Sequence, residues 1–237
     1  MKNPFYILIV LILLAACDKA EEAIKYHFIQ LNQTEVNLKS AESFLIETPR
    51  PEDLSFTCSN SFVASINNEG LVYTKRIGTA HIRVTNGYLD DEIRIIVTAH
   101  SNLYTEPIKD FSLTKSDIKA IEGEPFNETE NSLSYQLDNP KSPLKTYVFD
   151  TDNKLFSPSV LVQKAERDER TVFLEERYKY HDGFNYYSDA LIIEESTILV
   201  AVDNFDEEYD QVIYYPILFL NTPNKTGRVS KENQYQH

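Results

Sequence analysis

Regular alternation of apolar and polar residues in short runs is the feature that most limits how this chain can fold. In "GTAHIRVT", residues 78–85, and "EIRIIVTA", residues 92–99, nearly every second side chain is apolar. Successive side chains of a β-strand point to opposite faces, so each run predicts a strand with one buried face. The Asn86-Gly87 pair between them favours a tight turn.

The same alternation of apolar and polar residues extends over residues 28–99. The short runs "QTEVNLKS", "SFLIET", "LSFTCSN" and "LVYTKR" are separated by turn signals such as "PRPED" and "NNEG". Several short strands at this spacing are typical of an all-β sandwich. Cys58 lies in the third run. If Cys17, the other cysteine, is lipidated, Cys58 has no partner for a disulfide, and we expect it to be a small buried core residue.

Four phrases in this segment resemble the bacterial Ig-like domain, group 2. They are Leu31 to Leu38, Val63-Ala64-Ser65-Ile66, Gly70-Leu71-Val72 and Gly78-Thr79-Ala80. The chain departs from the family at Cys58, where the family usually has tryptophan. The resemblance implies an Ig-like β-sandwich at 28–99, a module of bacterial surface proteins that serves as a spacer or contact surface and has no shared catalytic residues.

A different pattern begins near Leu103 and predicts an α+β domain over 103–220. "LTKSDIKAIEG" favours a helix that Thr114 caps with Asp117 and that Gly123 ends, and a second helix is predicted over 167–180. Three predicted strands follow each helix: "SLSYQLD", "KTYVFD" and "SPSVLVQ", then "YYSDALIIEE", "TILVAVDNF" and "DQVIYYPIL". We expect two helix-strand-strand-strand units in one antiparallel sheet with both helices on one face. Residues 221–237 are predicted to be a flexible tail.

The first residues predict export. An apolar block from Pro4 to Ala16 follows Lys2, and as a helix it would rise roughly 20 Å, short of the ~30 Å hydrocarbon layer. A signal peptide over 1–16 is therefore predicted. Leu14-Ala15-Ala16-Cys17 resembles a bacterial lipobox, which implies cleavage before Cys17, lipidation of its thiol and a tether over 17–27. Two or more acyl chains anchor a protein stably in a membrane.

The acidic residues behind the lipidated cysteine bear on location. Asp18, Glu21 and Glu22 resemble export signals that send lipoproteins to the cell surface in one Gram-negative phylum. We therefore expect an outer-membrane, lipid-anchored protein at the cell surface. A merely solvated tether, with the protein facing the periplasm, is the alternative.

Charge and motifs exclude several functions. A net charge of −14 repels nucleic acid, and no G-x-S-x-G, H-E-x-x-H or P-loop motif occurs. Neither an enzyme nor a cofactor nor a metal site is predicted. Two acidic segments, Asp150 to Asn153 and 203–210, are interpreted as hairpin turn and solvated loop, with calcium binding as the alternative.

Aromatic residues are concentrated in the second domain. We predict that a protein or carbohydrate ligand contacts Tyr180, Tyr186 and Tyr187. The sequence predicts a helix-to-strand loop around these residues, and a scaffold displays contact residues in such loops. Core placement in strands is the alternative. The function predicted is a non-catalytic binding or adhesion protein carried on an Ig-like spacer. The rivals are a structural or accessory subunit of an outer-membrane complex and, less favoured, an enzyme or enzyme inhibitor.

Replacing the lipobox cysteine tests the anchor. We expect Cys17→Ala to move the protein from the membrane fraction to the soluble fraction, because no acyl chain can then be attached. Detergent phase partitioning with immunoblotting measures this, with Cys58→Ala as the matched control that stays in the membrane. Membrane retention of the Cys17→Ala protein would contradict the prediction.

Overall fold

The computed structural model describes residues 29–48 and 51–217. The chain divides into two compact units, one up to Ala99 and one from His100 onward. The predicted signal peptide, Cys17, the tether up to residue 27 and the tail over 221–237 lie outside the described residues. Within the described ranges, no helix is long and apolar enough to cross a membrane.

The described residues of the first unit form seven strands in two sheets. Their bounds are β1 Glu35–Lys39, β2 Ser43–Leu45, β3 Ser55–Cys58, β4 Ala64–Ile66, β5 Leu71–Thr74, β6 Gly78–Thr85 and β7 Asp90–Thr98. One sheet has the order β1-β7-β6-β3 and the other β2-β5-β4. β1 pairs with β7 in parallel, and the other neighbours are antiparallel.

One core joins the inner faces of these two sheets. The alternating residues of β6 and β7, such as Ile82 and Ile95, pack with Ala64 and Val72 of the smaller sheet and with Val63 just before β4, and all five are buried. The period of two seen in the sequence therefore separates core from solvent in this unit. Burying an aliphatic side chain of this size contributes about 1.5–3 kcal/mol.

Asparagine side chains close two of the predicted turns. Asn67 Oδ1 accepts hydrogen bonds from the backbone N–H of Glu69 and Leu71 at 3.1 and 2.8 Å, and Gly70 has a φ of 82° that favours glycine. Asn86 Oδ1 accepts from the two residues after Gly87 in the same way. Local side-chain to backbone bonds of this kind stabilise turns over strand continuation.

Cys58 is half-buried rather than fully buried. It packs against the core of the first unit, and its Sγ lies 3.3 Å from the carbonyl oxygen of Ala64 and 3.5 Å from that of Asn60. The thiol therefore caps one end of the core, because the last residue of β3 stands at the rim of the sheet.

Between residues 100 and 217 the second unit contains two α-helices and eight strands. The helices are α1 Lys115–Glu122 and α2 Arg167–Glu175, and the strands are β8 Asn127–Glu128, β9 Ser132–Gln136, β10 Leu144–Phe149, β11 Leu155–Gln163, β12 Lys179–His181, β13 Tyr186–Ser188, β14 Ile198–Asn204 and β15 Tyr209–Pro216. Thr114 and Asp117 form the predicted capping box of α1, and Gly123 ends that helix.

All eight strands form one antiparallel sheet in the order β12-β13-β14-β15-β11-β10-β9-β8. Each helix is followed by four strands that pair consecutively, and the last strands of the two sets, β11 and β15, pair with each other from Ser159↔Ile213 to Gln163↔Tyr209. The sequence predicted three strands in each set and missed the short β8 and β12.

Both helices pack on the same face of this sheet. Ile118 of α1 packs with residues of β9 and β10 such as Leu133 and Tyr147, and Phe173 of α2 packs with residues of β11 and β15 such as Val160. Lys145, two residues before Tyr147 on β10, pairs directly with Val160. Directly opposite residues and those two apart share a face.

Two predicted elements of the second unit were wrong in extent. The second helix was predicted to reach Tyr180 but ends at Glu175, and the buried carboxylate of the next residue, Glu176, accepts the backbone N–H groups of His100 and Ser101. The strand predicted over 186–195 ends at Ser188. Beyond it, Asp189 accepts the N–H groups of Thr197 and Ile198 and closes a loop.

A buried ion pair holds α2 on the sheet. Arg170 donates to the carboxylate of Asp210 on β15, and these residues are 7% and 5% exposed. We expect Arg170→Met to lower the free energy of unfolding by about 3 kcal/mol, because it leaves a buried carboxylate without its main partner. Urea unfolding followed by far-UV circular dichroism measures this. The double variant Arg170→Met/Asp210→Leu should recover most of the loss, and equal instability of both variants would contradict the prediction.

Candidate functional site: aromatic clefts on the open face of the sheet

The face of the eight-stranded sheet opposite α1 and α2 is called the open face here, because neither described helix packs on it. Tyr214 lies in the core beneath α2, so its neighbour Tyr215 points to the open face. The register Leu199↔Tyr215, Ala201↔Ile213 and Tyr187↔Val200 places Leu199, Ala201 and Tyr186 on the same face.

A cleft with a volume of about 150 Å³ lies on the open face over β13 and β14. Its lining consists of Phe184, Asn185, Tyr186, Ala201, Val202, Asp203 and Tyr215. Ala201 provides the floor between the two tyrosines, because its methyl side chain leaves the space that a larger residue would fill. Phe184 is 56% exposed at the rim.

Asp203 supplies the negative charge of this cleft. The pKa of Tyr215 is raised to about 12. Burial is the largest cause, followed by the carboxylate of Asp203 and by Tyr186. Burial and Asp203 also raise the pKa of Tyr186. Both phenols are therefore neutral hydrogen-bonding groups at physiological pH, with a carboxylate acceptor close to both.

A second and larger cleft, with a volume of about 660 Å³, lies at the turn between β10 and β11. It is lined by Glu130, Asn131, Phe149, Asp150, Thr151, Asn153 and Phe156. Clefts of this volume are typical of small-molecule sites. Its lining again combines aromatic rings with carboxylates and amides.

A β-bulge and an aromatic contact connect the two clefts. The register of β10 with β11 shifts from Val148↔Ser157 to Phe149↔Leu155, so Phe156 is the extra residue of a bulge. A bulge re-aims its side chain, and the Phe156 ring meets the Tyr215 ring edge to face, with centroids 6.3 Å apart. Phe156 lines the larger cleft and Tyr215 the smaller one.

The three tyrosines predicted as ligand contacts separate onto two faces. Tyr180, Tyr186 and Tyr187 lie in the hairpin of β12 and β13, not in a helix-to-strand loop. Of the three, only Tyr186 lines either of the two clefts described above. Tyr187 packs against the core under α2 and stacks on Tyr180 at 4.9 Å, and the Tyr180 hydroxyl donates to Asn185 Oδ1 at 2.7 Å.

The sequence reasoning missed Tyr215, Asp203 and Phe156 as site residues. Alternation in "QVIYYP" separates Tyr214 from Tyr215, and this signal could have indicated that the two rings lie on opposite faces. The bulge that places Phe156 beside Tyr215 has no comparable signal.

The helix-covered face carries a buried polar cluster that serves packing. Tyr178 donates to Glu106 Oε1 at 2.5 Å and accepts from Lys109 at 2.7 Å, and the Tyr104 and Tyr214 hydroxyls lie 2.8 Å apart. These bonds hold segment 103–109 against the sheet and satisfy buried hydroxyls.

The acidic turns behave as turns. Asp150 Oδ1 accepts the N–H groups of Asp152 and Lys154, and Asp206 Oδ1 accepts those of Glu208 and Tyr209. Among the residues that the structure describes, no cluster of three or more histidine, cysteine or acidic side chains is placed to hold a metal ion.

Comparisons with known proteins do not assign this chain to a family. No protein-family model and no curated protein matches the chain. Among solved structures, domains 5–6 of the S-layer protein SbsC match at 12% identity over 80% of this chain and 83% of that one, with a TM-score of 0.26.

A SusE-like, surface-located polysaccharide-binding protein from the heparin utilisation locus of Bacteroides thetaiotaomicron matches at 10% identity. The match covers 76% of this chain and 32% of that one, with a TM-score of 0.21. TM-scores this low do not define a shared fold, and nothing about this chain is inferred from them.

Removing the charge of Asp203 tests the geometry of the smaller cleft. We expect Asp203→Asn to lower the pKa of Tyr215 below its value of about 12, because the carboxylate disfavours the phenolate. The pKa of Tyr215 is higher in the folded protein than in the unfolded chain, where it is about 10. The resulting contribution to stability is fully present below a pH of about 10 and is lost as the pH rises through about 12.

The measurement is tyrosinate absorbance after a rapid pH jump, before unfolding, with Tyr215→Phe used to assign the signal. Asp206→Asn, in the turn between β14 and β15, is the matched control. An Asp203→Asn titration identical to that of the wild type would show that the carboxylate does not act on Tyr215.

Proposed function

We propose that this protein is a lipid-anchored, non-catalytic binding protein of the bacterial outer membrane, displayed at the cell surface. The proposal combines the lipobox at Cys17, which supports lipid attachment, with the clefts on the open face of the second unit, which support ligand binding. The ligand is a protein or a carbohydrate, as the aromatic residues of the domain predict.

The observation that carries the proposal is the composition of the smaller cleft. Tyr186 and Tyr215 offer rigid aromatic surfaces, and Asp203 and Asn185 offer acceptor and amide groups beside them. Tyrosine provides a large contact area at a low cost in conformational entropy, which is why it is enriched in recognition surfaces. A cleft of this kind binds and orients a ligand without further machinery.

The chemistry of that cleft favours binding over catalysis. Within its described lining, Asp203 is the single carboxylate and there is no histidine, cysteine or serine. A nucleophile-base pair needs two such groups within hydrogen-bond reach, and glycoside hydrolysis needs two carboxylates.

The first unit has the role of a spacer in this proposal. Its two packed sheets and the phrases from Leu31 to Ala80 support membership of the bacterial Ig-like domains, group 2. The four-stranded and three-stranded sheets bury one core between them, which makes a compact module between the anchor and the binding unit in the order of the chain.

The binding role is tested with the detergent-solubilised full chain on a biosensor surface. The protein and carbohydrate fractions of conditioned growth medium are passed over it separately. We expect one fraction to bind, Tyr186→Ala to weaken that binding about tenfold or more as an interface hot spot does, and the bound material to be recovered unchanged in mass.

Phe126→Ala is the matched control, because Phe126 is 72% exposed in the same unit and lines neither cleft. The proposal fails if neither fraction binds or if both variants lose binding equally. Cleavage of the bound material would instead reveal an enzyme.

A further inference from the structure

We propose that the two clefts, which meet where Phe156 contacts Tyr215, form one elongated path that binds a chain of uncharged sugar rings. This inference rests on the proposed binding function and specifies its ligand. Its basis is the continuity of the two clefts and the chemistry of their linings.

The path runs across the strands. The smaller cleft involves β13, β14 and β15, and the larger one begins at Phe156 on β11, the next strand in the sheet. Three strand spacings of ~4.8 Å separate β13 from β11, a distance of roughly 14 Å. The larger cleft extends beyond it, to Asn131 and the turn after β10. A ligand that fills both clefts is therefore a chain and not a single small molecule.

The junction between the clefts is built by two local irregularities. Pro158 has no backbone N–H, and the ladder between β11 and β15 ends at Ser159. The bulge at Phe156 lies just before this point. Together they free the start of β11 from β15, and the Phe156 and Tyr215 rings bridge the gap.

The lining suits neutral sugars. The apolar C–H faces of a sugar ring pack on aromatic rings, and its hydroxyl groups donate to carboxylates and bond amides. Phe184, Tyr186, Tyr215 and Phe156 provide the rings along the path, and Asn185, Asp203, Asn131, Asn153, Asp150 and Glu130 provide the polar groups.

Charge excludes sulfated and uronic-acid chains. Three carboxylates, Asp203, Asp150 and Glu130, line the described path, and no lysine, arginine or histidine does. The chain as a whole has a net charge of −14. Like charges at this density repel a polyanion.

An extended peptide fits this surface less well. Peptides that bind as strands add to the edge of a sheet and use its unpaired backbone groups. The ladder of β14 with β13 covers only Leu199 and Val200, and that of β11 with β15 begins at Ser159. A peptide added at these open stretches would run along the strands, whereas the path runs across them. A ligand lying across them meets side chains, and a polyol satisfies its polar groups there more fully than a peptide backbone.

The test is isothermal titration calorimetry of the detergent-solubilised full chain with oligosaccharide series of rising length. The neutral series are α-glucan, β-glucan, mannan and xylan, the anionic series are heparin and polygalacturonate, and mixed-sequence peptides form a third arm. We expect a neutral series to bind, with a hexasaccharide at least about tenfold tighter than a disaccharide, because linked subsites reinforce each other.

Variants on the path separate one cleft from two. Phe156→Leu keeps an apolar side chain but removes the ring. It should abolish the tighter binding of the hexasaccharide and leave the affinity for the disaccharide within about twofold of the wild-type value. Tyr186→Ala should weaken both lengths about tenfold. Phe126→Ala should change neither, and far-UV circular dichroism verifies that each variant is folded.

Each outcome tests a different part of the proposal. A bound neutral chain without length dependence, or with the full gain retained in Phe156→Leu, overturns the elongated path. Binding of the anionic series or of peptides alone, sensitive to Tyr186→Ala, overturns the sugar assignment and leaves the binding function standing. If none of the three arms binds, the sugar inference is wrong, and the medium-fraction experiment then decides the binding function separately.

Discussion

The antiparallel pairing of β11 with β15 is the interaction on which the second unit depends. It joins two sets of four consecutive strands into one sheet, and no other strand pair connects the two sets within the described residues. The same pairing aligns Val160 with Val212 under α2 and places Asp210 where Arg170 binds it. The helix-covered face, the buried ion pair and the open face therefore have one common origin.

The end of that pairing matters as much as the pairing itself. The ladder stops at Ser159, where Pro158 cannot donate, and the strand that leaves it carries the bulged Phe156. Irregularities inside a sheet weaken it and are found where they direct a side chain. Here the irregular segment lies on the face without helices, beside both clefts, so the stable centre of the sheet and its proposed binding surface are adjacent.

Much of the fold could be predicted because its signals are local. The alternation around Ile82 and the capping box of Thr114 and Asp117 each depend on neighbours in the sequence. The site depended on register, since a shift of one residue exchanges the faces of a strand. Tyr186 and Tyr187 are adjacent in sequence but lie on opposite faces. The central strand β11 is buried on both faces, so its composition could not indicate which side the helices cover.

The position of β15 has a consequence for how the protein is made. The last strand of the sheet in sequence lies at its centre, next to β11, which precedes it by more than a helix and three strands. The second set of strands and its pairing with the first cannot form until residues near 216 are free to pair, and such long-range pairing is slow. For a chain threaded through a membrane from its amino end, as proposed here, this arrangement delays completion of the binding unit until β15 has crossed.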